Sequence, residues 1–261
     1  MQTIKVLTVT DLHQLRCLYA QLHVAVEAHR PDAVAVVGDF LEEIARGEEH
    51  LSLGEAASHL ASLPVQHLVF TRGNHEDEDW PKFVSAWPHA QRPLIALYGT
   101  LYKVGPLALI GFPCRTGFDG HWRRSLPAEG NVVVPGAKPH RRSLPKTSEW
   151  LGPLLRAIPG EAVWLMHEPP VNVPIARSEL VCTEWSRAVL RHEPHWVVCG
   201  HDHSSPMRYG GWQARLGATW VLNAGQRRDK LHYLVLAFTF MGDVLVDMRM
   251  QAHPWETEAF R

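Results

Sequence analysis

Residues 33–37, Ala-Val-Ala-Val-Val, offer no polar side chain to either face of an extended strand. Successive strand residues point to opposite sides, so such a run belongs where both faces of a sheet are covered. The same apolar character returns at 67–71, 162–166 and 195–199. Each of these runs passes directly into a short polar turn, and that junction organises the whole chain.

In order, residues 4–9 read as a first strand ending in Thr10-Asp11-Leu12-His13. From 14 to about 29, Leu15, Leu18, Leu22, Ala25 and Val26 recur at helical spacing, stopped before Pro31. The strand at 33–37 runs into Gly38-Asp39. A helix is expected over 53–63, then a strand at 67–71 that ends in Gly73-Asn74-His75-Glu76. This βαβαβ rhythm argues for parallel strands with right-handed crossovers. Short strands are expected at 94–98, 101–104 and 107–112. After them, a helix at 149–158 leads to the strand at 162–166 and His167, and a helix at 183–191 leads to the strand at 195–199 and Gly200-His201-Asp202-His203. Residues 220–222, 232–240 and 244–250 read as antiparallel strands. No repeat or linker divides the chain, so 1–261 reads as one α/β domain with a long basic loop at about 114–146. That loop carries Arg115, Arg123, Arg124, Lys138, Arg141, Arg142 and Lys146 against Asp119 and Glu129. Loops of this length in a compact domain tend to be functional or disordered.

Composition narrows the function. A hydrophobic content of 46% and a charged content of 20% describe an ordinary soluble protein. A formal net charge of −1 gives no general attraction to nucleic acid or an anionic membrane. No apolar run approaches a membrane span, and the first ten residues are too short and polar for a signal peptide. The four scattered cysteines form no C-x-x-C pair, which argues against a disulfide framework or a thiolate zinc site. A reduced, cytoplasmic protein is expected.

The strand-end turns supply the chemistry. Asp11, His13, Asp39, Asn74, His167, His201 and His203 form a mixed oxygen and nitrogen ligand set with no thiolate. Seven candidates are too many for one ion but suit two that share a carboxylate. Residues i and i+2 of an extended segment point the same way, so Asp11 with His13, and His201 with His203, are each expected to aim at one place. Each piece has an ordinary explanation alone: Asp11 or Asp39 as a helix cap, His167 as a packed core histidine, Gly200-His-Asp-His as a plain turn. Five such clusters at five strand ends in one chain argue against all of these holding together.

The series Asp11-x-His13, Gly38-Asp39, Gly73-Asn74-His75-Glu76, His167 and Gly200-His201-x-His203 resembles, complete and in order, the calcineurin-like metallophosphoesterase superfamily. The resemblance spans residues 8–203. It implies a four-layer α/β/β/α sandwich of two mixed sheets with a dinuclear metal centre of manganese, iron or zinc. By the same resemblance, Asp11, His13, Asp39 and His203 hold one ion, and Asp39, Asn74, His167 and His201 the other, with Asp39 as bridge. His75 becomes the imidazole that protonates the leaving oxygen while a metal-bridging hydroxide attacks phosphorus. Asn223-Ala224-Gly225 resembles a small-residue turn seen late in many members.

Two departures refine this. After Gly38-Asp39 there is no Asp-Arg-Gly extension, which argues against a serine/threonine phosphatase. Family nucleases usually add a capping domain, for which the chain leaves no room. The pattern is similar to small bacterial members resembling class III cyclic-nucleotide phosphodiesterases. A small-molecule phosphodiester or phosphomonoester is the expected substrate, with a non-catalytic scaffold or a nuclease as alternatives. Arg123, Arg124, Arg141 and Arg142 are the candidate substrate contacts. The sequence leaves the oligomeric state open.

Overall fold

The computed structural model describes residues 1–42, 47–76, 79–97, 99–112, 114 and 161–253, with the backbone alone of 121–124 and 140–143. Two six-stranded mixed sheets face one another. The first comprises β1 (Gln2–Val9), β2 (Ala33–Val37), β3 (His67–Thr71), β4 (Ile95–Ala96), β13 (Tyr233–Met241) and β14 (Val244–His253), in the order β14-β13-β1-β2-β3-β4. Strands β1 to β4 run parallel, as the alternation of strand and helix requires, and β13 returns antiparallel to β1. The second comprises β5 (Thr100–Val104), β6 (Leu107–Phe112), β9 (Ala162–Met166), β10 (Trp196–Val198), β11 (Gln213–Leu216) and β12 (Thr219–Leu222), in the order β11-β12-β10-β9-β6-β5.

Strand alternation divides the side chains among three cores. In β2, Val34 and Val36 join a core under the helices α1 (Arg16–His29), α2 (Leu53–Ala61) and α3 (Trp80–Ala86). Ala33, Ala35 and Val37 face the second sheet, where they meet Val163, Leu165 and Val198. The second sheet repeats the division: Trp164 and Met166 turn away from the inter-sheet core onto Trp185, Ala188 and Val189 of α4 (Thr183–His192). The layers are therefore α/β/β/α, and every residue of β2 is buried. No described helix is long and apolar enough to cross a membrane. No disulfide joins the four cysteines.

The sequence reading differs from this fold in several places. The basic stretch contains a two-stranded antiparallel sheet, β7 (His121–Arg124) with β8 (His140–Ser143), pairing Arg123 with Arg141 and Trp122 with Arg142. Neither four-residue run alternates apolar with polar residues, so periodicity could not announce it. The side chains of Arg123, Arg124, Arg141 and Arg142 lie outside the described residues, as does the helix expected at 149–158. Helix α3, strand β11 and the short α5 (Ser205–Tyr209) had no counterpart among the expectations. Proline sits in the first turn of α3 and of α5, a position it favours at helix starts.

Candidate metal centre

The turns after β1, β2, β3, β9 and β10 lie side by side. Asp11 N–H donates to the carbonyl of Gly38 at 3.1 Å and His13 N–H to that of Asp39 at 2.9 Å. Gly200 N–H donates to the His167 carbonyl at 2.9 Å, which docks the turn after β10 onto the end of β9. A side chain at position 38 would place its Cβ 2.5 Å from His167 Nδ1, and one at 200 would meet Thr10 and Asp11 Oδ2. Glycine is required for this proximity, and Gly38 also has φ +79°.

Strain concentrates in the same turns. Asp11, His13, Gln14, Asp39 and His201 all have left-handed backbone. The other described non-glycine residues of this kind, Arg30 and Glu193, are C-caps of α1 and α4. Each left-handed turn residue costs on the order of 1–3 kcal/mol, persists only where its surroundings hold it, and clusters at functional sites. This backbone also corrects the i, i+2 expectation. His201 is not extended, and it aims at a different cluster from His203.

Three groups of side chains able to hold a metal result, two made wholly of expected ligands and a third of His13, Glu42 and His75. Asp11, His13 and His203 converge: His203 Nε2 is 3.1 Å from Asp11 Oδ1 and also 3.1 Å from His13 Nε2. Asp39, His167 and His201 form the second. His167 Nδ1 faces the Val37 carbonyl at 3.0 Å, which fixes the tautomer and turns Nε2 to within 3.0 Å of Asp39 Oδ2. That contact is not aligned for a hydrogen bond. His167 Nε2, His201 Nε2 and Asn74 Oδ1 are all buried without a hydrogen-bond partner. Buried polar atoms are normally satisfied, so the unpartnered ring nitrogens of His167 and His201, in one cluster with Asp39, fit a cation. The hard and borderline donor set, with no thiolate, suits manganese, iron or zinc.

Electrostatics support the same reading. Burial opposes ionisation of Asp11, yet the charges of His203, His167 and His13 outweigh it and hold the carboxyl well below its ordinary range. Burial disfavours a charged His167, but Asp39 and Asp11 push it up to about 10. A field that holds a proton this tightly will hold a metal ion in the proton's place. Burial and the nearby His167 push His201 down to about 4, leaving it neutral and able to donate a lone pair.

His75 stands beside these clusters. Its backbone N–H donates to Asp39 Oδ1 at 3.0 Å, its Nε2 is 3.8 Å from Asp39 Oδ2, and its ring centroid is 4.8 Å from that of His13. Glu42 reaches both rings, with Oε1 3.1 Å from His75 Nδ1 and Oε2 3.1 Å from His13 Nδ1. The hydrogen bond to Glu42 pushes His75 up to about 9 despite its partial burial. Glu76 is buried beneath, and accepts from the backbone N–H groups of Asp39, Leu41 and Gly73 at 3.0, 2.9 and 2.6 Å. It ties the turn after β2 to the turn after β3. Asn223 does the same for the turn after β10, donating to the carbonyls of Ile175 and Asp202.

The six Asp and His residues expected as ligands and His75 therefore come together at one end of the sheets, and Asn74 lies in the same turn as His75. Sequence reasoning passed over Glu42, three positions past Asp39, because nothing local marks its contacts with rings from two other turns. It also passed over Gln14, which accepts from Glu42 N–H at 2.8 Å and holds that residue's backbone.

No curated protein sequence matches the chain. Solved structures share its fold. A dimetal phosphatase from Danio rerio superposes with a TM-score of 0.60 at 14% identity, covering 95% of each chain. TT1561 of Thermus thermophilus gives 0.62 at 14% identity, over 90% of this chain and 94% of the other. The calcineurin-like phosphoesterase YfkN from Bacillus subtilis gives 0.53 at 12% identity, over 96% and 90%. The calcineurin-like phosphoesterase family model matches residues 4–205, well over half of the chain and every ligand turn. This chain belongs to the calcineurin-like phosphoesterase family, and is a metal-dependent phosphoric ester hydrolase.

Proposed function

We propose that the two clusters hold two metal ions and that the chain hydrolyses a small phosphodiester or phosphomonoester. Asp11, His13 and His203 would hold one ion, and Asn74, His167 and His201 the other, with Asp39 shared between them. The observation that carries this reading is the pair of ligand clusters side by side, each with ring nitrogens aimed inward. When bound, such ions neutralise phosphoryl charge and render water acidic enough to serve as nucleophile near neutral pH.

The chain's own residues do the rest. His75, held protonated by Glu42, stands at the edge of the clusters and donates its proton to the departing ester oxygen. Glu42 orients that ring and the ring of His13 together, so the proton donor and one ion ligand share an anchor. Asp39 receives the His75 backbone N–H, which fixes the donor's distance from the second cluster. The left-handed turns hold these groups in place before substrate arrives.

The test is phosphate or p-nitrophenol release from p-nitrophenyl mono- and diesters, by chelated protein and after addition of manganese, iron or zinc. Turnover that depends on the metal supports the proposal. Full metal occupancy with no turnover of any ester would leave the fold as a binding scaffold.

A further inference from the structure

We propose that Arg228 forms a second anion subsite, so that the substrate is a small phosphoester carrying a further negative group, a carboxylate or another phosphate. This deepens the phosphoester reading above and rests on it. The cluster of Asp11, His13 and His203 opens into a cleft of about 300 Å³ whose walls include His75 as well and, from another part of the chain, Gln226, Arg227 and Arg228. Asp11 is 1% exposed and forms the floor, whereas Arg227 and Arg228 are exposed at the rim. A cleft of this volume accommodates a small molecule larger than one phosphoryl group.

The turn that carries the arginines is fixed. Gln226 N–H donates to the His203 carbonyl at 2.9 Å, and Gln226 Nε2 to the Thr10 carbonyl at 3.0 Å. The turn is thereby tied to two of the ligand loops. On its far side, Gln21 of α1 donates to the Asp229 carbonyl at 3.0 Å and accepts from Leu231 N–H at 2.9 Å. The Cys17 thiol donates to the carbonyl of Arg228 itself at 3.1 Å.

The two arginines differ in availability. Asp229 takes Arg227 in a two-pronged contact, Nε to Oδ1 at 3.0 Å and Nη2 to Oδ2 at 3.1 Å. Among the described residues Arg228 has no carboxylate in ion-pair contact, and it is exposed and lines the same cleft. A guanidinium suits planar oxyanions through paired N–H donors. The phosphoryl group under attack already has the ligand clusters and His75, so a rim cation acts on a different part of the molecule.

Two matched sets of ligands test this. For turnover, the phosphate monoesters of propanol and of 3-hydroxypropionate are compared, along with the p-nitrophenyl diesters of the same two alcohols. For binding, calorimetry compares ethylphosphonate with 3-phosphonopropionate, neither of which is hydrolysed. The metal-loaded protein is expected to prefer the carboxylate-bearing member of each pair tenfold or more, in KM and in Kd. Arg228→Ala should reduce that preference to about one, Arg228→Lys should retain part of it, and Arg187→Ala, on the exposed face of α4, should keep it. Equal affinity for both members in the unaltered protein, or a preference untouched by Arg228→Ala, would overturn the proposal. A binding preference without turnover of any ester would count against the phosphoester reading and leave the subsite standing.

Discussion

Asp39→Asn removes the charge that the proposal shares between two ions and leaves the side chain nearly the same size. Asp39 Oδ2 lies 3.0 Å from His167 Nε2, and neither group is accessible to solvent. At an effective dielectric constant of about 20, two unit charges at that distance interact by about 5 kcal/mol. This corresponds to about 4 pH units, enough to account for the rise of His167 from 6.5 to about 10 against the opposing effect of burial. Without Asp39, His167 in the metal-free protein should titrate at or below 6.5. A divalent ion feels the lost charge at least as strongly, so affinity at the Asp39, His167 and His201 cluster should fall at least a thousandfold. The fold should persist, because the asparagine Oδ1 still accepts the His75 N–H. Ring-proton NMR of the metal-free protein from pH 5 to 10 reads the titration, and competition with a chelating dye reads the affinity. An unchanged His167 titration, or two ions retained at full affinity, would refute the shared-carboxylate reasoning.

Other perturbations follow from the same contacts. His75→Ala should slow hydrolysis of alkyl esters by about a hundredfold or more and of p-nitrophenyl esters far less, because only the poor leaving group needs a proton; equal losses on both would assign His75 a positioning role. Glu42→Gln withdraws the main cause of the raised His75 pKa. Since the protonated ring is the active form, activity falls as pH rises through that pKa, and the alkaline limb should move to lower pH in the variant. An unmoved limb in the kcat profile would separate Glu42 from His75. Gly200→Ala forces a Cβ against Thr10 and Asp11, and overpacking of this kind costs about 1–3 kcal/mol, read as a lower Tm with weaker metal binding. Metal binding near pH 7 must displace the proton of His167, so calorimetry in buffers of different ionisation enthalpy should show proton release and an affinity that rises with pH. Binding without proton release would contradict the ligand assignment.

What the sequence revealed follows from how far each signal extends. The all-apolar strand 33–37 matches β2 residue for residue, because a strand buried on both faces has no freedom in its composition. The polar turns stood out because they interrupt such strands. Glu42 stayed hidden because its role exists only when three turns meet: its carboxylate touches His13 and His75, from two other strand ends. The division of His201 from His203, which the family resemblance had implied, could not be shown by spacing alone. It depends on one left-handed residue, φ +67° at His201, that non-glycine sequence does not announce. Arg228 lies 25 positions after His203, and only the pinning of its turn by Gln226 brings it to the same cleft.

Two ions are proposed to sit at this one end of the sandwich. Crystals of manganese-loaded protein, with diffraction recorded on both sides of the manganese absorption edge, test this directly. Two anomalous peaks are expected, one among Asp11, His13 and His203 and one among Asn74, His167 and His201, with Asp39 touching both. A single peak, or peaks away from these residues, would contradict it.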